Sequence, residues 1–213
     1  MAIKKHVKRV PEEAAERPVR DRILSAAFST FTERGFAEAS TLEIATRARA
    51  SKRELYALFG NKQDMLIACI SERARRLRLP VDLPELRDRE ALRTTLAAFG
   101  ARLVGEVSEP AVVAMFRLAI AEASRTPDIA QSLNDIAIAA SRDSLREIMR
   151  RAESAGLLGG EPAEMAAQFF GLLWGNLMPG LLLGIAERPH RREIDRRAEA
   201  ATAAFLRAYP EPA

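Results

Sequence analysis

Residues 40–62 read STLEIATRARASKRELYALFGNK. The pattern S-x-x-E occurs twice, at Ser40/Glu43 and at Ser51/Glu54. Each is the signature of a capping box, in which a serine hydroxyl and a glutamate carboxylate satisfy the first backbone amides of a helix. The stretch therefore predicts a short helix, TLEIATRA, a tight turn, and a second helix that stops at Gly60. In the first, Leu42, Ile44, Ala45 and Ala48 are the expected apolar positions. In the second, Leu55 and Phe59 lie four apart and point inward, with Leu58 beside them. Lys52, Arg53, Glu54, Tyr56 and Ala57 are left facing out. Two short helices joined this way are the sequence form of a helix-turn-helix, whose second helix presents side chains to base edges in a major groove.

The flanks complete a helical head. Upstream, VRDRILSAAFSTFTERGF sets Ile23, Leu24, Ala27, Phe28 and Phe31 on one helix face. Gly35 fits the left-handed position that stops this helix, with Phe36 packing behind it. Downstream, Asn61 caps a fourth helix through Met65, Leu66, Cys69, Ile70 and Leu77 towards Pro80. Residues 1–18, with Pro11 and Pro18 and no apolar period, read as a flexible basic arm.

Composition bounds what such a head serves. The chain has 213 residues, 48% hydrophobic and 29% charged, which is ordinary for a soluble globular protein. Alanine is abundant and β-branched runs are few, so helix is favoured nearly throughout. The single cysteine excludes an internal disulfide and suggests a reducing compartment. Cys69 itself reads as a small buried hydrophobe, with a redox sensor as the alternative. The N-terminus lacks the apolar run of a signal peptide, so a cytoplasmic protein is expected. Residues 1–80 hold 17 Lys and Arg against 10 Asp and Glu; residues 81–213 hold 16 against 19. A basic head on a mildly acidic body points to a polyanion partner for the head alone, or else to a solvated basic surface.

At 23–70 the motifs ILSAAFSTFTERGF, T-L-E-I-A, A-x-A-S-K-x-x-L-Y-x-x-F and N-K-x-x-M-L follow one another in order. This stretch resembles the DNA-binding domain of the TetR family of bacterial transcriptional regulators. One position departs: Arg49 stands in the turn where the family usually has glycine, at a cost of about 1 kcal/mol if that turn is left-handed. The resemblance implies an all-α fold with an N-terminal helix-turn-helix domain and a C-terminal helical ligand-binding and dimerisation domain. It also implies a homodimer through the last two helices and an inverted-repeat DNA operator.

Residues 81–213 read as further helices, giving about nine in all. One spans PELRDREALRTTLAAFGARLVGEV, with Leu92, Leu96, Phe99 and Leu103 inward. Pro110 opens the next, and Pro127 begins a long one ending near Gly156. Glu161-Pro162 starts another, which Pro189 separates from the last. The runs FRLAIAEASRTPDIA and AAQFFGLLWGNLMPGLLLG resemble the C-terminal domain of the AefR-like subgroup. Met165–Ala186 carries no formal charge over 22 positions, enough to span a bilayer. Four glycines, Gln168, Asn176 and Pro179 interrupt it, so a helix buried in protein, at a dimer interface, is expected and a membrane span is not. The domain boundaries expected are 1–18 for the arm, 19–65 for the DNA-binding domain with helix 4 linking on to about 79, and 80–213 for the body.

No enzyme site, metal-ligand spacing or cofactor motif emerges; His6 and His190 are isolated. For DNA, Lys62 at the start of helix 4, Thr41 in the first turn of helix 2 and the Tyr56 hydroxyl suit phosphates. In TetR-like proteins the matching positions contact the backbone. Base reading falls to Arg53 (guanine), Glu54 (cytosine) and Ala57 (thymine methyl), with Ser51 and Lys52 beside them at the helix start. Glu54 has a rival use as the partner of Ser51. Lys4, Lys5, Lys8 and Arg9 are either a DNA-following arm or an inert tail. A small apolar or aromatic effector is expected in the body, near Phe99, Leu103, Met115, Phe116, Phe170, Trp174 and Met178, each of which is otherwise core or interface. The expected function is a ligand-responsive homodimeric repressor. The alternatives are an activator of the same fold, or a helical dimeric adaptor whose basic head meets another partner.

Overall fold

The computed structural model describes residues 19–74 and 85–212. All regular structure among them is helical. The chain divides into two compact units, Met1–Cys69 and Ile70–Ala213. The expected arm, the end of helix 4 near 79 and the Leu77–Pro80 stretch lie outside the described residues.

The first unit holds α1 (Val19–Arg34), α2 (Thr41–Ala48), α3 (Lys52–Phe59) and the start of α4 (Lys62–Ala74). The period read in α1 is the one that packs: Ile23, Leu24, Ala27, Phe28 and Phe31 are all buried. Gly35 ends α1 at φ 81°, where any residue with a Cβ is strained, and Phe36 packs on Phe31 with ring centroids 5.6 Å apart. Cys69 is buried, and its thiol donates to the Leu24 carbonyl at 3.5 Å, as suits a small packing residue. Two apolar expectations fail. Leu42 is 58% exposed and Leu58 is 46% exposed. An eight-residue helix needs only one narrow stripe of anchors, and Ile44, Ala45 and Ala48 in α2, with Leu55 and Phe59 in α3, already supply it.

The second unit comprises α5 (Arg89–Val107), α6 (Pro110–Glu122), α7 (Pro127–Leu133), a π-helical turn (Asn134–Ile138), α8 (Ala139–Ser154), α9 (Pro162–Trp174), α10 (Leu177–Leu183) and α11 (Arg191–Ala208). Prolines sit in the first turn of α6, α7 and α9, where a missing amide costs nothing. The α5 helix starts at Arg89, later than expected, because the Asp88 carboxylate accepts from the Ala91 amide at 2.8 Å. At the centre, α5 packs closely on α9 and α11. A Cβ on Gly100 would come 3.1 Å from Leu173 Cδ1, closer than most real Cβ contacts, so a larger residue there would require Leu173 to shift. Phe205 is fully buried, edge-on to Phe169 at 5.6 Å and tilted on Tyr209 at 4.8 Å.

Two expected helices differ from their sequence reading. The long helix after Pro127 passes through the π turn instead of running straight. The apolar helix after Pro162 is broken at Gly175 (φ 43°) into α9 and α10, bent by 56°. Arginines from other helices satisfy the carbonyls exposed at these ends. Arg197 donates to the Leu173 and Trp174 carbonyls at 3.2 and 3.3 Å, and Arg117 to those of Leu181 and Leu182 at 2.6 and 3.0 Å. Among the described residues no single helix is long and apolar enough to cross a membrane. Nor is the α9–α10 segment buried on every side: Leu183 is 73% exposed and Ile185 82%.

Candidate nucleic-acid interface and effector cavity

The turn between α2 and α3 is fixed by three local devices. Ser40 caps α2 by accepting from the Leu42 amide at 3.2 Å. Its expected partner Glu43 turns aside to Arg47 at 2.7 Å, and Arg47 also holds Glu33 of α1 at 2.7 Å. So the first S-x-x-E is a serine cap joined to a cross-helix ion pair. Arg49 ends α2 at φ 51°, ψ 47°, the left-handed conformation that glycine adopts without strain. Arg49→Gly is expected to stabilise the head by up to ~1 kcal/mol, less the entropy glycine adds to the unfolded chain. Paired urea titrations measure it.

The second capping box is complete. Ser51 Oγ accepts from the Glu54 amide at 3.1 Å, while Glu54 Oε2 accepts from the Ser51 amide at 2.8 Å and hydroxyl at 2.7 Å. The Ser51 backbone amide first, and then its hydroxyl, hold the Glu54 carboxyl below its ordinary range. A group whose folded pKa is depressed stabilises above its unfolded pKa and loses that contribution as pH falls through the folded value. The stability gap between wild type and Glu54→Gln is therefore expected at neutral pH. It should close as the pH drops below about 4.5 in denaturation curves. Ser51→Ala, which removes the cap itself, is expected to cost about 1 kcal/mol.

The outward face of α3 carries Lys52, Arg53, Glu54, Tyr56 and Ala57, all exposed. Lys52 and Arg53 make no bond to any described residue. Glu54 is committed to Ser51, which weakens it as a base reader. The structure brings Thr41 and Tyr56 together, with their hydroxyl oxygens 3.2 Å apart. Lys62, expected at a phosphate, has a second use within the head. Its ammonium donates to the carbonyls of Phe36, Ala37 and Ala39 at 2.7, 3.1 and 3.3 Å and lies 4.6 Å from the Phe36 ring centroid. All three N–H groups are spent on the loop between α1 and α2, so without DNA this side chain acts as a strut. Lys62→Ala should cost about 1–3 kcal/mol of stability and leave the salt dependence of DNA binding unchanged. A flattened salt slope in a fully folded variant would restore the phosphate assignment.

In the second unit a cavity of about 340 Å³ opens among α5, α6, α8, α9 and α10. Leu103, Phe116, Phe170, Trp174 and Met178, named from the sequence as candidate effector contacts, line it with Val107, Ala163, Ala166 and Ala167. Phe99 and Met115 do not; both are buried in packed core. Sequence reasoning missed Ile138 at the end of the π turn and Ser141, Arg142 and Arg146 of α8, which form the α8 edge. A wider open groove of about 1020 Å³ lies between α5 and α11. Its charges pair across it, Arg93 with Glu199 at 2.8 Å and Arg188 with Glu109, so it is solvated surface. His190, also on that groove, caps α11 by accepting from the Glu193 amide at 3.3 Å.

Family models match both units. Residues 23–69 match the bacterial regulatory proteins of the tetR family, and residues 94–211 match the C-terminal domain of AefR-like transcriptional repressors. The chain belongs to the TetR family of transcriptional regulators. Solved TetR-family structures share its fold. A TetR transcriptional regulator from Agrobacterium tumefaciens is 26% identical, with 92% of this chain and 96% of that one covered and a TM-score of 0.77. The flavonoid-responsive regulator FrrA is 29% identical, with coverages of 92% and 98% and a TM-score of 0.74. A TetR-family regulator from Mesorhizobium loti, at 23% identity and a TM-score of 0.73 over 92% and 98% of the two chains, shows the fold alone. None of the curated proteins compared with the chain matches it in sequence. Within the TetR frame α2 and α3 are the helix-turn-helix, and α9–α10 and α11 correspond to the last two helices of the nine read from the sequence.

Proposed function

We propose that this TetR-family protein is a cytoplasmic homodimeric repressor that binds an inverted repeat and is released by a small apolar or aromatic ligand. The observation that carries the DNA reading is the outward face of α3. Arg53 is exposed and unpaired among the described residues, while the helix that presents it is held by a complete capping box. Arg53 reads a guanine edge, Ala57 meets a thymine methyl, and Lys52 with the Thr41–Tyr56 pair contacts phosphates.

Dimerisation through α9–α10 and α11 would cover the exposed Leu172, Leu183 and Ile185, which a lone chain leaves in water. The two heads of the dimer enter successive major grooves about 34–36 Å apart. A ligand in the body that favours another separation releases DNA through its differential affinity for the two states. The cavity lining, and the likeness to a flavonoid-responsive regulator, support an apolar or aromatic ligand. Sedimentation of the protein with a short fluorescent duplex tests the dimer: two chains per duplex are expected, and one chain per duplex would contradict it.

A further inference from the structure

The α8 edge of the cavity shows a charge imbalance. Helix α8 carries four arginines, Arg142, Arg146, Arg150 and Arg151. Three are paired along the helix: Arg146 with Asp143 at 3.3 Å, and Arg150 and Arg151 with Glu147 at 2.7 and 2.8 Å. Arg142 has no partner among the described residues. Its neighbours four residues away are Ile138 and Arg146, so the helix sets like charges on one face against its own preference. Both Arg142 and Arg146 line the cavity, and among the described residues no carboxylate does. Glu161, whose charge reaches Arg146, is occupied as the cap of α9, accepting from the Ala163 and Glu164 amides. The other walls are apolar, and the α8 edge follows the π turn, a distortion frequent at functional sites.

We propose that the cavity takes an amphipathic carboxylate, with its apolar body against Phe116, Phe170 and Trp174 and its anionic group held by Arg142. This rests on the effector reading above and narrows it. A guanidinium presents two parallel N–H donors to a carboxylate, and beside an apolar wall that pairing is stronger than in open water. At about 340 Å³ the cavity is near the small end of ligand sites, which suits an aromatic acid or a medium-chain fatty acid.

Trp174 is the sole tryptophan and lines the cavity, so its fluorescence reports occupancy directly. The full-length protein is titrated with 2-naphthoic acid and decanoic acid, and with their neutral counterparts 2-naphthamide and methyl decanoate. One acid, or both, is expected to bind at least about tenfold tighter than its neutral counterpart; which one does tells aromatic from aliphatic. Arg142→Gln should lower acid affinity roughly 10- to 100-fold and leave neutral binding unchanged, and Arg142→Lys should recover part of the loss. Arg142 is exposed, so neither variant threatens folding. Equal binding of acids and neutral compounds, or an Arg142→Gln protein that binds acids like wild type, overturns the carboxylate proposal while the cavity stands as an effector site. If no compound perturbs Trp174, and filling the cavity by Ala166→Phe leaves DNA affinity unaltered, the effector reading falls with it.

Discussion

Arg53→Ala lowers affinity for the operator by about 1–3 kcal/mol, roughly 5- to 150-fold, and relaxes the requirement at one base pair of each half-site. The loss is confined to the specific complex, because Arg53 stands exposed on α3 without a partner among the described residues and its removal leaves the capping box intact. Lys52→Ala makes the contrast. It should weaken binding to all sequences alike and reduce the salt slope by about one. Anisotropy titrations on operator and scrambled duplexes at several salt concentrations separate the two. Equal losses on both duplexes for Arg53→Ala would refute its assignment as the base reader.

Phe205→Ala removes about 3–5 kcal/mol of stability. The ring is fully buried and joins α11 to α9 through Phe169 and to the chain end through Tyr209. Little can collapse into the gap, because Gly100 already brings α5 into close contact with α9 and α11. Against a typical total of about 5–15 kcal/mol this is a large fraction. Since α11 is half of the proposed dimer surface, the variant should also dissociate at higher protein concentration. Chemical denaturation and sedimentation read the two effects. A loss below about 1 kcal/mol would show that this aromatic cluster is not what holds α11.

Most of the head was legible because its signals are local. Capping residues, Gly35 and the anchors Leu55 and Phe59 each act within a turn or two of chain, and sequence displays that order directly. Leu42 and Leu58 were misread because periodicity says which residues share a face, not whether anything covers it. The fate of the Lys62 ammonium depended on carbonyls some 25 residues away, which no spacing rule reaches. In the body, apolar content located Leu103, Phe116, Phe170, Trp174 and Met178 without saying which buried residues border empty space, so Phe99 and Met115 were named with them. Arg142 looked like one charge among many. A signal was present all the same: every later arginine of α8 has an acidic residue three or four positions before it, and Arg142 has none. The break at Gly175 was marked by a glycine-asparagine pair, yet the carbonyls it frees are met by Arg197, which is distant in sequence.

Selection from a random duplex library, at physiological salt with excess competitor DNA, decides whether the head reads DNA sequence. Purified protein is mixed with the library and what stays bound is sequenced. An enriched inverted repeat is expected, with half-site centres about one helical turn apart and a guanine that is lost as a requirement in Arg53→Ala. No enrichment above background by a folded dimer would contradict it, and would assign the basic head to another partner.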